Sequence, residues 1–170
     1  TMEAHKGSIS FYSNKAKGTA FLLKFPKLDQ QEVPLDLNTK VLVVEDDLYF
    51  REIIATKLRK TGFMVEEATN GEEALKYLKE NPDTKAVFVD YKMRLLDGVQ
   101  FIEQTRSCGL SPYTIMVTAY GHGPEITDLQ QKNWIQEVLH KPVSQKEIDA
   151  SIAKLKVYLS AQLDSTQKAA

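Results

Sequence analysis

From Lys40 onward the chain repeats one pattern: a short unbroken apolar run, a polar break, then a longer amphipathic stretch. Val41-Leu42-Val43-Val44, Ala86-Val87-Phe88-Val89 and Thr114-Ile115-Met116-Val117 are continuous rather than alternating, as parallel strands covered on both faces must be. Phe63-Met64-Val65 and Glu137-Val138-Leu139 are shorter runs of the same kind. Between them the apolar period lengthens to that of a helix. The first helix carries Phe50, Ile53, Ile54 and Leu58 and closes at Gly62; a second opens at Asn70 with Glu73 three residues on and ends at Asn81-Pro82-Asp83. A third, Gly98 to Arg106, uses Phe101, Ile102 and Thr105. A weaker one spans Gly121 to Lys132, with Gly123-Pro124 near its start. The last opens with a Ser144–Glu147 capping box and carries Ile148, Ile152, Leu155 and Leu159. Five strands alternating with five helices predict an α/β fold: a doubly wound, five-stranded parallel sheet with right-handed crossovers. Function in such sheets gathers at the carboxyl ends of the strands.

Residues 1–28 follow a different rule. Ile9, Phe11 and Tyr12 form one β-prone run, Asn14 to Gly18 a turn, and Thr19 to Phe25 a second run, which together predict a β-hairpin. Alone, such a ribbon is marginal in water, so it docks on the main domain, pairs with another copy, or belongs to a larger domain. Residues 29–39 are polar, with Pro34, and read as a linker; residues 161–170 read as a frayed polar tail. Charge divides at the same place. The first 28 residues hold five lysines against Glu3, leaving the remainder at −5 within a whole-chain net of −1. Lysines so spread are expected to form a solvated face and not a nucleic-acid surface. Cys108 is the single cysteine, which excludes an internal disulfide and suits a reducing compartment. No apolar run approaches the roughly 20 residues of a membrane span. The expectation is a cytoplasmic chain with no membrane contact of its own.

The chemistry-bearing residues fall at strand ends. Glu45, Asp46 and Asp47 follow the first strand, Asp90 ends the third, Thr118 the fourth, and Lys141 follows the fifth. Clustered carboxylates raise one another's pKa unless a cation intervenes. Hard oxygen donors at one rim suit Mg²⁺, which favours sites shared with phosphate. Acids, a hydroxyl and an ammonium at one edge form a constellation for phosphoryl transfer. Taken singly these residues are ordinary: Asp47 reads as a helix N-cap, Asp97-Gly98 as a turn, Tyr91 and Lys92 as loop residues. The agreement of four strand ends carries the reading.

As a set, Val-Leu-Val-Val-Glu-Asp-Asp (41–47), Val-Asp-Tyr-Lys-Met-Arg-Leu-Leu-Asp-Gly (89–98), Ile-Met-Val-Thr-Ala (115–119) and Lys-Pro (141–142) resemble the receiver domain of two-component response regulators, over residues 40–160. The resemblance implies a flavodoxin-like (βα)5 fold with strand order 2-1-3-4-5. It implies that Asp90 is the phosphoacceptor, with Mg²⁺ bound directly by Asp46 and Asp90, by the Lys92 backbone carbonyl, and by Glu45 through water. Thr118 and Lys141 would attend the phosphoryl group, and the Lys141–Pro142 bond would be cis. Two positions depart from the family pattern. Arg94 replaces a usual proline, and Val138 stands where an aromatic often sits, leaving the familiar coupling of threonine to aromatic without its ring.

Residues 3–10 and 17–21, ending near Pro26, resemble the close of a histidine-kinase ATP-binding domain, with Ala16 where that family usually has glycine. This implies a hybrid sensor histidine kinase with the receiver fused behind its core. The asparagine-bearing helix of such a domain is missing from the sequence, and neither His5, His122 nor His140 lies in a phosphoacceptor-histidine context, so the chain is expected not to bind ATP or phosphorylate itself from it. Its catalysis is at most that of its own phosphorylation and dephosphorylation. The implied partners are a kinase's phosphohistidine domain, a histidine phosphotransfer protein, or a second copy in a homodimer. Two other functions compete. A Mg²⁺-dependent phosphatase with an aspartyl nucleophile wants an acid where Lys92 stands, and a pseudo-receiver would serve only as a binding module. A dinucleotide domain fails because no Gly-rich turn follows the first strand.

Overall fold

The computed structural model describes the backbone of residues 8–14, 18–24, 39–121 and 123–167, and the side chains of 39–121 and 123–162. The chain divides into two compact units, residues 1–32 and 33–170. In the first, β1 (Ser8–Asn14) pairs antiparallel with β2 (Gly18–Lys24), in a register that sets Phe11 opposite Phe21. The hairpin expected from the two β-prone runs is therefore present. Its turn, the linker expected at 29–39 (all but Thr39), and His5 and His122 lie outside the described residues.

The second unit is a five-stranded parallel sheet. Its strands are β3 (Lys40–Val44), β4 (Met64–Ala68), β5 (Ala86–Asp90), β6 (Tyr113–Thr118) and β7 (Glu137–His140), in the order β4-β3-β5-β6-β7. Numbered within the sheet this is 2-1-3-4-5, as the resemblance implies. The helices between them are α1 (Leu48–Lys60), α2 (Gly71–Glu80), α3 (Gly98–Ser107), α4 (Pro124–Gln131) and α5 (Gln145–Gln167).

Strand side chains alternate faces, and the apolar runs feed two cores accordingly. Val41, Val43 and Phe88 pack with Ile54 and Leu58 of α1 and Ile148, Ile152 and Leu155 of α5. Leu42, Val44, Val87 and Val89 pack with Leu75 and Leu78 of α2, Phe101 and Ile102 of α3, and Ile126 and Leu129 of α4. Burial of each large aliphatic side chain stabilises by about 1.5–3 kcal/mol, so the register that points both sets inward is strongly specified.

Helix ends are fixed by side chains as the sequence suggests. Asp47 Oδ1 accepts from Phe50 N–H at 2.8 Å and Asn70 Oδ1 from Glu73 N–H at 3.0 Å. Ser144 and Glu147 form the capping box of α5, with Ser144 N–H and O–H both on Glu147 Oε2. Gly62 ends α1 with a φ of 95°, a left-handed conformation that costs a glycine little. The helix expected from Gly98 starts there, with Asp97 and Gln100 in a reciprocal capping box. Two expectations need correction. The tail expected from 161 onward is helical through Gln167, because no glycine or proline interrupts α5 there. On α1 the stripe is turned: Ile53 is 37% exposed, whereas Arg51 is buried. No helix among the described residues is long and apolar enough to cross a membrane.

Candidate functional site

The β3–α1 loop is held at both ends. Glu45 N–H continues the sheet ladder by donating to the Ala68 carbonyl at 3.1 Å. Arg51 folds back from the first turns of α1, donating from Nη1 to the Glu45 carbonyl at 2.7 Å and from Nε to Glu67 Oε2 at 3.2 Å. Glu67 also accepts from Arg59 at 2.8 Å. The guanidinium thus satisfies a carbonyl that burial would otherwise leave unpaired. Asp46 sits half-buried between the anchored Glu45 and the capping Asp47.

Asp90 is the last residue of β5, only 6% exposed. Its Oδ2 accepts from Lys92 N–H at 3.1 Å, and its Oδ1 pairs with Lys141 Nζ at 2.7 Å. Gly98 lies directly on its backbone, where any Cβ would collide with the Asp90 carbonyl oxygen. Lys141 N–H donates to the Thr118 carbonyl at 2.7 Å, bringing the residue after β7 onto the same rim, and the Lys141–Pro142 bond is cis. Its ammonium bridges two acids, reaching Glu45 Oε2 at 2.7 Å as well as Asp90, and it rests 4.6 Å from the centre of the Phe50 ring.

One carboxylate oxygen from each of Glu45, Asp46 and Asp90 lies within 4.8 Å of the others. Among the described residues, Lys141 is the cation paired with these acids, so the cluster carries an excess of two negative charges when all three are ionised. Burial, and for Glu45 the charge of Asp90, push the Asp90 and Glu45 carboxyls above their ordinary values, against the pull of Lys141. For Lys141, burial works against the ammonium, but its hydrogen bonds to Asp90 and Glu45 outweigh it and hold its pKa up. A compact set of oxygen donors with two uncompensated charges fits a hard divalent cation such as Mg²⁺.

Of the residues singled out from sequence, Glu45, Asp46, Asp90 and Lys141 come together. Lys92 joins them through its N–H; its side chain is turned to Asp97 at 3.5 Å and lies 4.6 Å from the centre of the Tyr91 ring. Thr118 is fully buried at the end of β6, and its hydroxyl is engaged by the loop that follows: Tyr120 N–H donates to Oγ1 at 2.9 Å, and the hydroxyl donates to the Tyr120 carbonyl at 3.1 Å. Tyr91 is no mere loop residue. It is 8% exposed, packs in the same core as Ile126 and Leu129, and donates its phenol to Glu125 Oε2 at 2.5 Å. That hydrogen bond raises its pKa first, and burial adds to it. Position gave the only signal: a large aromatic directly after the acidic strand end. For Arg51, the signal was a cation placed inside an otherwise apolar stripe.

A parallel sheet in the order 2-1-3-4-5 with a helix after each strand defines the flavodoxin-like class of α/β domain. The response regulator receiver domain family matches residues 41–153. The chain belongs to this family. It is similar to the probable transcriptional regulator ycf27 of Guillardia theta, 36% identical over 123 residues, covering 71% of this chain and 46% of the relative. It is 29% identical to sporulation initiation phosphotransferase F of Bacillus subtilis, covering 69% of this chain and 94% of that protein. The receiver domain of a Francisella response regulator superposes with a TM-score of 0.62 at 28% identity, covering 74% of this chain and 99% of that one. The chain spans about half the length of the transcriptional relatives it matches.

Proposed function

We propose that this chain is a phosphoacceptor of a two-component phosphorelay, in which Asp90 takes a phosphoryl group from a phosphohistidine and switches a protein-interaction surface. The observation that carries the reading is the single ammonium of Lys141 held 2.7 Å from the Asp90 carboxylate on a rim with excess negative charge. In the proposed reaction an Asp90 oxygen attacks phosphorus, the P–N bond breaks, and the released imidazole takes a proton from solvent. Asp46 and Asp90 would hold Mg²⁺ directly, with the Lys92 carbonyl and, through water, Glu45, and the ion would neutralise charge on the transferring oxygens. Lys141 is already in contact with the acceptor and follows the phosphoryl group by exchanging carboxylate oxygen for phosphoryl oxygen. The Thr118 hydroxyl turns from Tyr120 to donate to the same group. Leu48 and Tyr49, 60% and 76% exposed, open α1 directly after the acid loop and offer an apolar landing for the donor's helix.

Lys92, in place of an acid, disfavours the phosphatase reading, since its side chain pairs with Asp97. We take the parent to be a hybrid sensor histidine kinase in the cytoplasm, on the strength of residues 3–26 and of the β1–β2 hairpin register. The names of the similar regulators favour a second reading, a receiver that controls transcription through a further domain. Phosphoramidate, whose P–N bond mimics phosphohistidine, tests the central reading. With Mg²⁺ the chain is expected to show a hydroxylamine-labile acyl phosphate by ³¹P NMR, absent in Asp90→Asn; no such signal in the wild type would leave a pseudo-receiver.

A further inference from the structure

We infer that Tyr91 is a positioning residue, a latch that ties the acceptor strand to the start of α4 and that phosphorylation of Asp90 releases. The inference rests on the acceptor reading above. Val138 occupies the place on β7 where an aromatic switch would stand, half-buried and without a ring. A different connection runs from the same threonine. The Thr118 hydroxyl exchanges hydrogen bonds with the Tyr120 backbone, at 2.9 and 3.1 Å. Tyr120 meets Tyr91 edge to face, with ring centroids 6.0 Å apart and planes at 61°. Tyr91 in turn bonds Glu125 in the first turn of α4. Each link joins neighbours in space, and the first is the group proposed to turn to the phosphoryl oxygen.

The logic is one of proton counting. A hydroxyl has a single hydrogen to give. Thr118 spends it on the Tyr120 carbonyl, so donating to a phosphoryl oxygen means giving that carbonyl up. Tyr120 then loses one of the two hydrogen bonds that fix its loop, and its ring is freer to leave the edge of Tyr91. The Tyr91 backbone stays: its N–H is on the Val117 carbonyl at 2.8 Å and its carbonyl takes the Gly98 N–H at 3.1 Å. Motion therefore passes to the other end of the phenol bond, at α4. That end is susceptible, because Gly123 caps α4 without a side-chain hydrogen bond and the helix is only eight residues long. Phenol to Glu125 substitutes for the missing cap as the tether of the first turn.

Hydrogen exchange on the full chain, followed by mass spectrometry with and without beryllofluoride and Mg²⁺, tests the latch. In the wild type the phosphoryl analogue is expected to raise exchange across residues 120–131. Tyr91→Phe without the analogue should already exchange about fivefold faster there, the factor that one ordinary hydrogen bond contributes, and should respond little further. Glu125→Ala should behave the same, whereas Glu125→Gln, which keeps a carbonyl acceptor, should stay near the wild type. A merely structural Tyr91 would shift global melting and leave the analogue's increment intact. Wild-type exchange and a full increment in both Tyr91→Phe and Glu125→Ala overturn the latch. Intact mass after acetyl phosphate separates the two claims: no added phosphoryl group in the wild type sinks the acceptor reading and the latch together, while an added group with unaltered exchange in both variants sinks the latch alone.

Discussion

Lys141 and Asp90 are 51 residues apart in the chain and 2.7 Å apart in space, joined across the rim by the order of the strands that carry them. The same ammonium also holds Glu45. One cation thus stands between two buried acids that would otherwise face each other.

Lys141→Ala removes that cation and leaves Glu45 and Asp90 opposed. Breaking a buried pair from one side typically costs about 3–5 kcal/mol; because the lysine stem is partly exposed, a loss of about 2–3 kcal/mol at neutral pH is expected here. Mg²⁺ should return a larger share of stability to the variant than to the wild type, since the site proposed for it exists in the folded rim alone. Urea unfolding with and without Mg²⁺ measures both; a variant as stable as the wild type, with no extra gain from the metal, would contradict the arrangement.

In the metal-free rim, burial first of all holds the Asp90 pKa above the ordinary 3.8. For stability the sign is the reverse of the usual salt-bridged acid. A carboxyl whose folded pKa is raised binds its proton more tightly when folded, so its contribution declines as pH rises from the ordinary carboxylate range through the shifted value. Carbon-detected NMR titration of the Asp90 carboxyl gives the direction directly; a midpoint at or below the ordinary value would contradict it.

Gly98→Ala places a methyl group against the Asp90 carbonyl, a backbone atom that cannot rotate away. Overpacking of this kind costs about 1–3 kcal/mol. The acceptor should shift relative to Lys141, so the phosphorylation rate falls about tenfold or more even at saturating Mg²⁺, as small misplacements at reacting groups do. A rate equal to the wild type, measured by intact mass over time, would show that the close approach is not what positions Asp90.

Most of the fold was legible because the apolar runs of β3, β5 and β6 have only one arrangement that buries both faces. The acids and the lysine were legible for the same reason, since each directly follows or ends such a run. Local readings failed where a side chain's role depends on a distant element. Arg51 went unremarked in the sequence but is buried, because its partners are Glu67 of β4 and the Glu45 carbonyl. Tyr91 is a loop residue, as read, but its core packing and phenol bond could not be seen because Glu125, its partner, is 34 residues away. Leu95 adopts a φ of 68° without being glycine or asparagine, so nothing in its type announces the turn after Asp90.

Intact-mass measurement after incubation with acetyl phosphate and Mg²⁺ tests the central claim most directly. One added phosphoryl group is expected in the wild type, and none in Asp90→Ala or after chelation of the metal. An unmodified wild-type chain, or a phosphoryl group that persists in Asp90→Ala, would contradict the assignment of this rim as a phosphoacceptor site.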